Sequence, residues 1–248
     1  MSELVYPPVI LAAKTMFRAL DLRLRVEGSH HVPRTGGAVL ASNHVSYLDF
    51  IFCGYGARDS GRLVRFMAKD SVFRHKVSGP LMRGMKHIPV NRAAGAGSYA
   101  SAVSALRRGE VVGVFPEATI SRSFMVKDLK NGAARMAQEA AVPLLPVALW
   151  GTQRLWTKGR PRTLTRRHTP ITILVGEPID PAAHPDGNAL TAELRTRLTA
   201  LVDQAQREYP DQPAGPDAWW QPAHLGGTAP TPEQAAELDR PGRRTPTS

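Results

Sequence analysis

Seven short β-like runs, most of them apolar and separated by polar turns and helical patterns, constrain the fold of this chain more than any other feature. They occupy 22–26, 38–41, 64–67, 87–90, 111–115, 144–149 and 171–175. Short apolar runs bounded by turn residues read as buried strands. Helical patterns fall between or after them, at 98–108, 131–140 and 189–207, the last with an apolar stripe of Leu190, Leu194, Leu198, Leu201, Val202 and Ala205. Strand–helix alternation predicts an α/β fold, a mostly parallel or mixed sheet flanked by helices. In such a sheet ligands bind beyond the carboxyl ends of the strands. Three polar motifs lie just there: His44 follows the run at 38–41, Arg92 the run at 87–90, and Glu117 the run at 111–115.

The first motif carries the most chemistry. Ser42-Asn43-His44-Val45-Ser46-Tyr47-Leu48-Asp49 delivers a histidine and a carboxylate at a strand-to-helix turn. Histidine takes a proton near neutral pH, and a carboxylate fixes its tautomer and stabilises the imidazolium. Five residues turn through about 500° of helix. The pair can therefore meet only if His44 precedes the helix and Asp49 lies in its first turn. A plainer reading competes: Asp49 closes a variant capping box with Ser46, and His44 is a hydrogen-bonded loop residue.

Three further blocks accompany this one: Ile88-Pro89-Val90-Asn91-Arg92, Val114-Phe115-Pro116-Glu117-Ala118-Thr119, and Val142-Pro143-Leu144-Leu145-Pro146-Val147. In this order and spacing the four blocks resemble the glycerolipid acyltransferase family, whose type members are the 1-acyl-glycerol-3-phosphate acyltransferases. The resemblance covers roughly residues 20 to 180 and lies in the conjunction of the blocks, since each alone is a weak motif. It implies a glycerol-3-phosphate acyltransferase-like fold and transfer of a fatty acyl group to a glycerolipid hydroxyl. The donor would be a thioester, acyl-coenzyme A or acyl carrier protein, as co-substrate, with no other cofactor and no metal. The acceptor would be 1-acyl-glycerol-3-phosphate or, alternatively, another lysolipid or a glycolipid.

The resemblance also implies roles. His44 matches the family's base and Asp49 its orienting carboxylate, with direct attack and no acyl-enzyme. Arg92 matches an arginine similar in role to a phosphate clamp, as suits a guanidinium fork. Glu117 is expected to orient Arg92 or accept a glycerol hydroxyl, and Thr119 to donate to phosphate or cap the next segment. Ala118 stands where the family usually has glycine, which implies that the backbone there need not adopt a positive φ. Arg122 is expected to serve, in a shifted position, as the arginine that the family often places directly after the threonine. The fourth block is a buried strand entry whose prolines set the backbone path.

Composition bounds the alternatives. The chain has 248 residues and a net charge of +11, enough for one α/β domain with a sizeable core. Such a charge attracts polyanions: nucleic acid, an anionic bilayer or a phosphorylated substrate. A basic nucleic-acid-binding domain is the competing class, but no recognised nucleic-acid module or basic aromatic platform is present, and no nucleic-acid partner is expected. The single cysteine, Cys53, excludes an internal disulfide, suits a reducing cytoplasm and reads as a packing residue. There is no Gly-x-Ser-x-Gly elbow and no Walker loop. Gly54-Tyr55-Gly56 begins a dinucleotide fingerprint, but Asp59 stands where its third glycine belongs.

No secretory signal and no apolar window of spanning length is visible. Residues 1–20 read as a basic amphipathic helix, with Val9, Ala13, Met16 and Leu20 at helical spacing and Lys14 and Arg18 opposite. It can lie in a membrane interface or pack on the core. The basic stretch of Arg154, Lys158, Arg160, Arg162, Arg166 and Arg167 suits an anionic membrane, donor phosphates or simply solvent. The expected organisation is thus a membrane-proximal helix at 1–20, an acyltransferase domain at 21–209, and a Pro-rich, largely disordered tail at 210–248. Within the tail, Trp219-Trp220 is expected to pack back on the domain. The expected location is peripheral, on the cytoplasmic face of the cell membrane.

Overall fold

The computed structural model describes residues 3–91, 95–212 and 215–240. Helix α1 (Tyr6–Ala19) leads into strand β1 (Arg23–Glu27), then β2 (Ala38–Ser42), helix α2 (Asp49–Tyr55) and β3 (Val64–Lys69). Two short helices, α3 (Asp70–Arg74) and α4 (Ser78–Gly84), precede β4 (Ile88–Val90), α5 (Gly95–Arg107) and β5 (Val111–Val114). The chain continues through α6 (Gly132–Ala140), β6 (Leu144–Trp150), β7 (Pro170–Val175), α7 (Gly187–Arg207) and α8 (Pro232–Asp239).

The seven strands form one sheet in the order β1-β7-β6-β2-β5-β3-β4. Every adjacent pair is parallel except β6 with β7. The sheet is therefore mixed, with a parallel block β6-β2-β5-β3-β4 whose carboxyl ends share one edge. Each run read as a strand from the sequence is a strand here, within two residues at either end.

The central strand shows why the runs are continuous rather than alternating. On β2, Ala38 and Leu40 face a core built with Phe17, Phe52 and Phe66, while Val39 and Ala41 face one built with α5, α6 and α7 through Leu106, Ala134, Leu190 and Leu194. Both faces are covered, so neither can be polar. Asp186 caps α7 by accepting from the backbone N–H groups of Asn188 and Ala189, which fixes the start of the long stripe.

Both described ends of the chain pack on the body. Helix α1 packs on the body: Phe17 stacks on Phe52 at 5.0 Å, and the hydroxyl of Tyr6 donates to the Val64 carbonyl at 2.6 Å. The tail expected to be largely disordered is corrected over its described part. Trp220 is buried with Trp150, Tyr209 and Ala229, and α8 opens on a complete capping box between Thr231 and Gln234. Eight prolines in the tail lower helical content, but two tryptophans and a cap supply enough contact to order it.

Candidate active site

The sheet edge delivers the motif. Asn43, one residue past β2, extends the ladder to β6 with its side chain: Nδ2 donates to the Leu149 carbonyl at 3.0 Å, and Oδ1 accepts from the Leu149 N–H at 2.8 Å. That pinned amide launches the turn carrying His44. Asp49 is the first residue of α2, so the pair meets as its spacing requires, His44 Nδ1 lying 3.0 Å from Asp49 Oδ2.

The Asp49 carboxylate is fully buried and engaged at both oxygens. Oδ2 also accepts from the N–H groups of Val45 and Ser46, both at 2.7 Å. Oδ1 accepts from the Thr152 hydroxyl at 2.6 Å. The plainer capping reading therefore holds in part, since Asp49 takes the Ser46 amide; but Ser46 Oγ accepts from Leu48 N–H, two residues on, and donates to the Trp156 carbonyl. One carboxylate both closes the turn and sets the imidazole. With Nδ1 committed to Asp49, Nε2 is the nitrogen left for a substrate proton. The ring is about one-fifth exposed and stacks on Phe115 at 4.3 Å.

Glu117 turns to the backbone of the motif. Its Oε1 accepts from the His44 N–H at 2.9 Å and its Oε2 from the Lys127 N–H at 3.3 Å. It holds the backbone of the base. Burial is the main influence on this carboxyl and pushes its pKa up to about 7, against the lowering effect of the two amides and of Lys127. A carboxyl whose folded pKa lies above its ordinary 4.5 contributes stability that is complete below that value and is lost as pH rises towards 7. Glu117→Gln is accordingly expected to flatten the stability–pH curve between 4.5 and about 7, measured by urea midpoints across that window. An unchanged slope would assign the ionisation elsewhere.

Ala118 corrects another expectation, for its φ is +62°. Ala118, whose N–H closes a turn on the Phe115 carbonyl at 3.0 Å, occupies the left-handed region after all, at a cost of about 1–2 kcal/mol. Glycine would relieve that cost but loses about 0.4–1 kcal/mol through the unfolded chain. Ala118→Gly is expected to raise the thermal midpoint by about 2 °C, for a net ~0.5–1 kcal/mol; a lower midpoint in calorimetry would refute the strain.

The remaining residues divide. Thr119 is exposed and accepts from the Lys127 ammonium, which puts a cation unforeseen in the sequence at the site's rim. Arg122 is not turned to this rim: its Nε donates to Asp239 Oδ1 at 2.9 Å, and Lys158 Nζ reaches the same oxygen at 2.6 Å. Arg154 is likewise committed elsewhere, buried over Trp220 and bonded to Asp211. Arg92 lies outside the described residues.

Loops from two other strands clamp the motif. Ser121 N–H donates to the His44 carbonyl at 2.7 Å, and the Thr157 hydroxyl to the Val45 carbonyl at 2.6 Å. Thr152, Ser121 and Thr157 were not found from sequence, because each reaches the motif across more than 70 residues. Among the described residues no serine or cysteine is poised as a nucleophile here: Ser46 is occupied, and Cys53 is buried, which pushes its thiol pKa up. Among the described residues no group of three or more His, Cys, Asp or Glu side chains could hold a metal ion.

At the carboxyl edge of the sheet the geometry holds a histidine whose ring is set by a buried carboxylate, an arrangement suited to taking a proton. Comparison with known proteins gives the class. The acyltransferase family model matches residues 23–150, just over half of the chain, and the chain belongs to that family. A 1-acyl-sn-glycerol-3-phosphate acyltransferase of Bacillus subtilis is 29% identical over 197 residues, covering 75% of this chain and 92% of that one. The 1-acyl-sn-glycerol-3-phosphate acyltransferase alpha of Homo sapiens is 28% identical over 183 residues, 73% of this chain and 64% of the human one. The crystal structure of the 1-acyl-sn-glycerophosphate (LPA) acyltransferase of Thermotoga maritima superposes with a TM-score of 0.69 at 23% identity, covering 83% of this chain and 81% of that one. That likeness shows the shared fold. The chain is an acyltransferase.

Proposed function

We propose that this acyltransferase moves a fatty acyl group from acyl-coenzyme A or acyl carrier protein to the free hydroxyl of 1-acyl-glycerol-3-phosphate, making phosphatidic acid. One observation carries the mechanism: His44 is bonded to a buried carboxylate that accepts hydrogen bonds at both oxygens, and among the described residues no serine or cysteine beside it is free to act as a nucleophile. His44 Nε2 takes the proton of the acceptor hydroxyl as its oxygen attacks the thioester carbonyl. The tetrahedral intermediate collapses with cleavage of the carbon–sulfur bond, and the thiolate leaves with the proton that His44 had taken. Asp49 stabilises the imidazolium between these events. A thioester is already activated, so positioning and one proton transfer suffice.

The names of the relatives support the lysophosphatidate acceptor, and the cationic rim supports its phosphate. Lys127 and Thr119 stand there, and Arg92 is the third candidate for the phosphate contact. The acceptor and product are lipids, so the enzyme works at a membrane surface, for which we propose the cytoplasmic face of the cell membrane. Among the described residues no helix is long and apolar enough to cross a bilayer. The test is an acceptor screen with purified protein, labelled acyl donors on both carriers, and detection of lipid products. Thioester consumption that requires 1-acyl-glycerol-3-phosphate supports the reading. Equal or better use of a lysolipid or glycolipid without the phosphomonoester would reassign the acceptor.

A further inference from the structure

Four exposed large apolar side chains are grouped around α3 and α4, while Leu11, 66% exposed, stands on α1. Among the described residues the two most exposed are Leu4 and Val77, at 79% and 69%. Val77 immediately precedes α4, and Leu81 lies one turn on along the same face, at 43%; Val72 on α3 is 38% exposed. The inward side of these helices is already satisfied, with Phe73, Met82 and Met85 buried against Tyr6. Ser78 Oγ donates to the Val72 carbonyl at 2.8 Å, which ties α3 to α4. Gly84 packs so closely on Val5 that an added Cβ would fall 2.6 Å from Val5 Cγ2. Leu4 is thereby brought to the end of α4. The outward apolar face is not a by-product of poor packing, because the inner face is complete without it.

Charge says what covers it. Residues 69–86 carry Lys69, Arg74, Lys76, Arg83 and Lys86 against one acid, Asp70; Arg74 pairs with Asp70 and Lys86 with Glu3, so Lys69, Lys76 and Arg83 supply the rim charge. Apolar side chains rimmed by cations match an anionic bilayer, which takes up the first and attracts the second. A nucleic-acid backbone would match the cations and leave Val77 and Leu81 in water. Placement agrees. Helix α3 begins where β3 ends, at the same carboxyl edge from which parallel β2 and β5 lead to His44 and Glu117. An aromatic series also joins this edge to the base: Phe50, at the surface, meets Phe66 at 6.2 Å, Phe66 stacks on Phe115 at 6.0 Å, and Phe115 on His44 at 4.3 Å.

Resting on the lipid-acceptor reading above, we propose that Leu4, Val72, Val77 and Leu81 form an insertion ridge, rimmed by Lys69, Lys76 and Arg83, that seats the enzyme on an anionic bilayer. Seated so, the acceptor lipid stands at the carboxyl edge of the sheet, where its apolar part has the surface ring of Phe50 and the partly buried ring of Phe115 to lie against.

The experiment is co-sedimentation of the full chain with phosphatidylglycerol–phosphatidylcholine vesicles. It is paired with acyl transfer to two acceptors, a short-chain monomeric one in water and a long-chain one in the vesicles. Val77→Glu/Leu81→Glu is expected to weaken vesicle binding roughly 100-fold and to lower transfer to the embedded acceptor, with transfer to the monomeric acceptor unchanged. Lys76→Glu/Arg83→Glu is expected to weaken binding about tenfold or more on anionic vesicles only, and high salt should mimic it. Undiminished binding by the Val77→Glu/Leu81→Glu protein would overturn the ridge, as would loss of binding only in Leu11→Glu on α1. So would conversion of an oligomer to a monomer by the ridge variant in light scattering, since the face would then seat a second copy. A chain that acylates the monomeric acceptor but never binds vesicles defeats the ridge and leaves acyl transfer standing. One that binds through the ridge but acylates neither acceptor defeats the acceptor reading alone.

Discussion

His44→Ala is expected to yield a folded protein that transfers acyl groups about 10²–10⁴-fold more slowly, the usual contribution of one general base. The side chain is partly exposed and its ring makes one hydrogen bond, so removing it leaves the turn intact: Glu117 and Ser121 still hold the His44 backbone, and Asp49 still takes the Val45 and Ser46 amides. Asp49→Asn separates charge from geometry. The hydroxyl of Thr152 can rotate to accept from the new amide nitrogen, while the amide oxygen keeps the backbone N–H groups and His44 Nδ1. Shape survives and only the negative charge beside the imidazolium is lost. Turnover should fall by about 10²-fold or more with the thermal midpoint little changed. Stopped-assay rates with both purified variants, alongside circular dichroism, check the pair. Near-normal turnover in a folded His44→Ala protein would end the general-base mechanism.

The legibility of this molecule in its sequence follows from physical range. Buried parallel strands must be apolar on both faces, so 38–41 and 144–149 announce themselves without help from the rest of the chain. The His44–Asp49 contact was readable for a similar reason: both partners lie in one turn, and helix geometry limits how they can meet. Helices α3 and α4, of five and seven residues, are too short for a period to show, and a Gly-Pro pair interrupts the second. Order in the tail was hidden because proline content argues against structure while the contacts that create it, Trp219 with Phe124 and Asp239 with Arg122, are distant in sequence. Arg122 illustrates the general failure. Residue type says that a guanidinium will seek a carboxylate or phosphate, and only the fold says that Asp239 arrives first. Ala118 is a failure of inference rather than of range: absence of glycine was read as absence of a positive φ, whereas alanine can occupy that region at a tolerable cost.

Thr152 marks the point where range matters most for catalysis. It lies 103 residues from Asp49, just past β6, and its hydroxyl is the one described partner of the outer oxygen of a fully buried carboxylate. Thr152→Val keeps the shape and removes the donor, leaving a buried ionised oxygen unsatisfied. A hydrogen bond to a charged group is worth about 1.5–3 kcal/mol. Some of that loss will appear as stability and some as a carboxylate that rotates about its own axis to share Oδ2 differently among His44, Val45 and Ser46. Because His44 takes its orientation from Oδ2, the expected result is a fall in kcat of about 10–100-fold with KM for both substrates within about twofold. Thr152→Ser, which restores the hydroxyl without the methyl, should recover most of the rate. In a His44→Ala background the valine substitution should cost stability but no further activity, since the residue acts only through the base. If Thr152→Val instead lowers the His44→Ala residual rate by the same factor as the wild-type rate, the hydroxyl works independently of the pair and contacts the reactants itself.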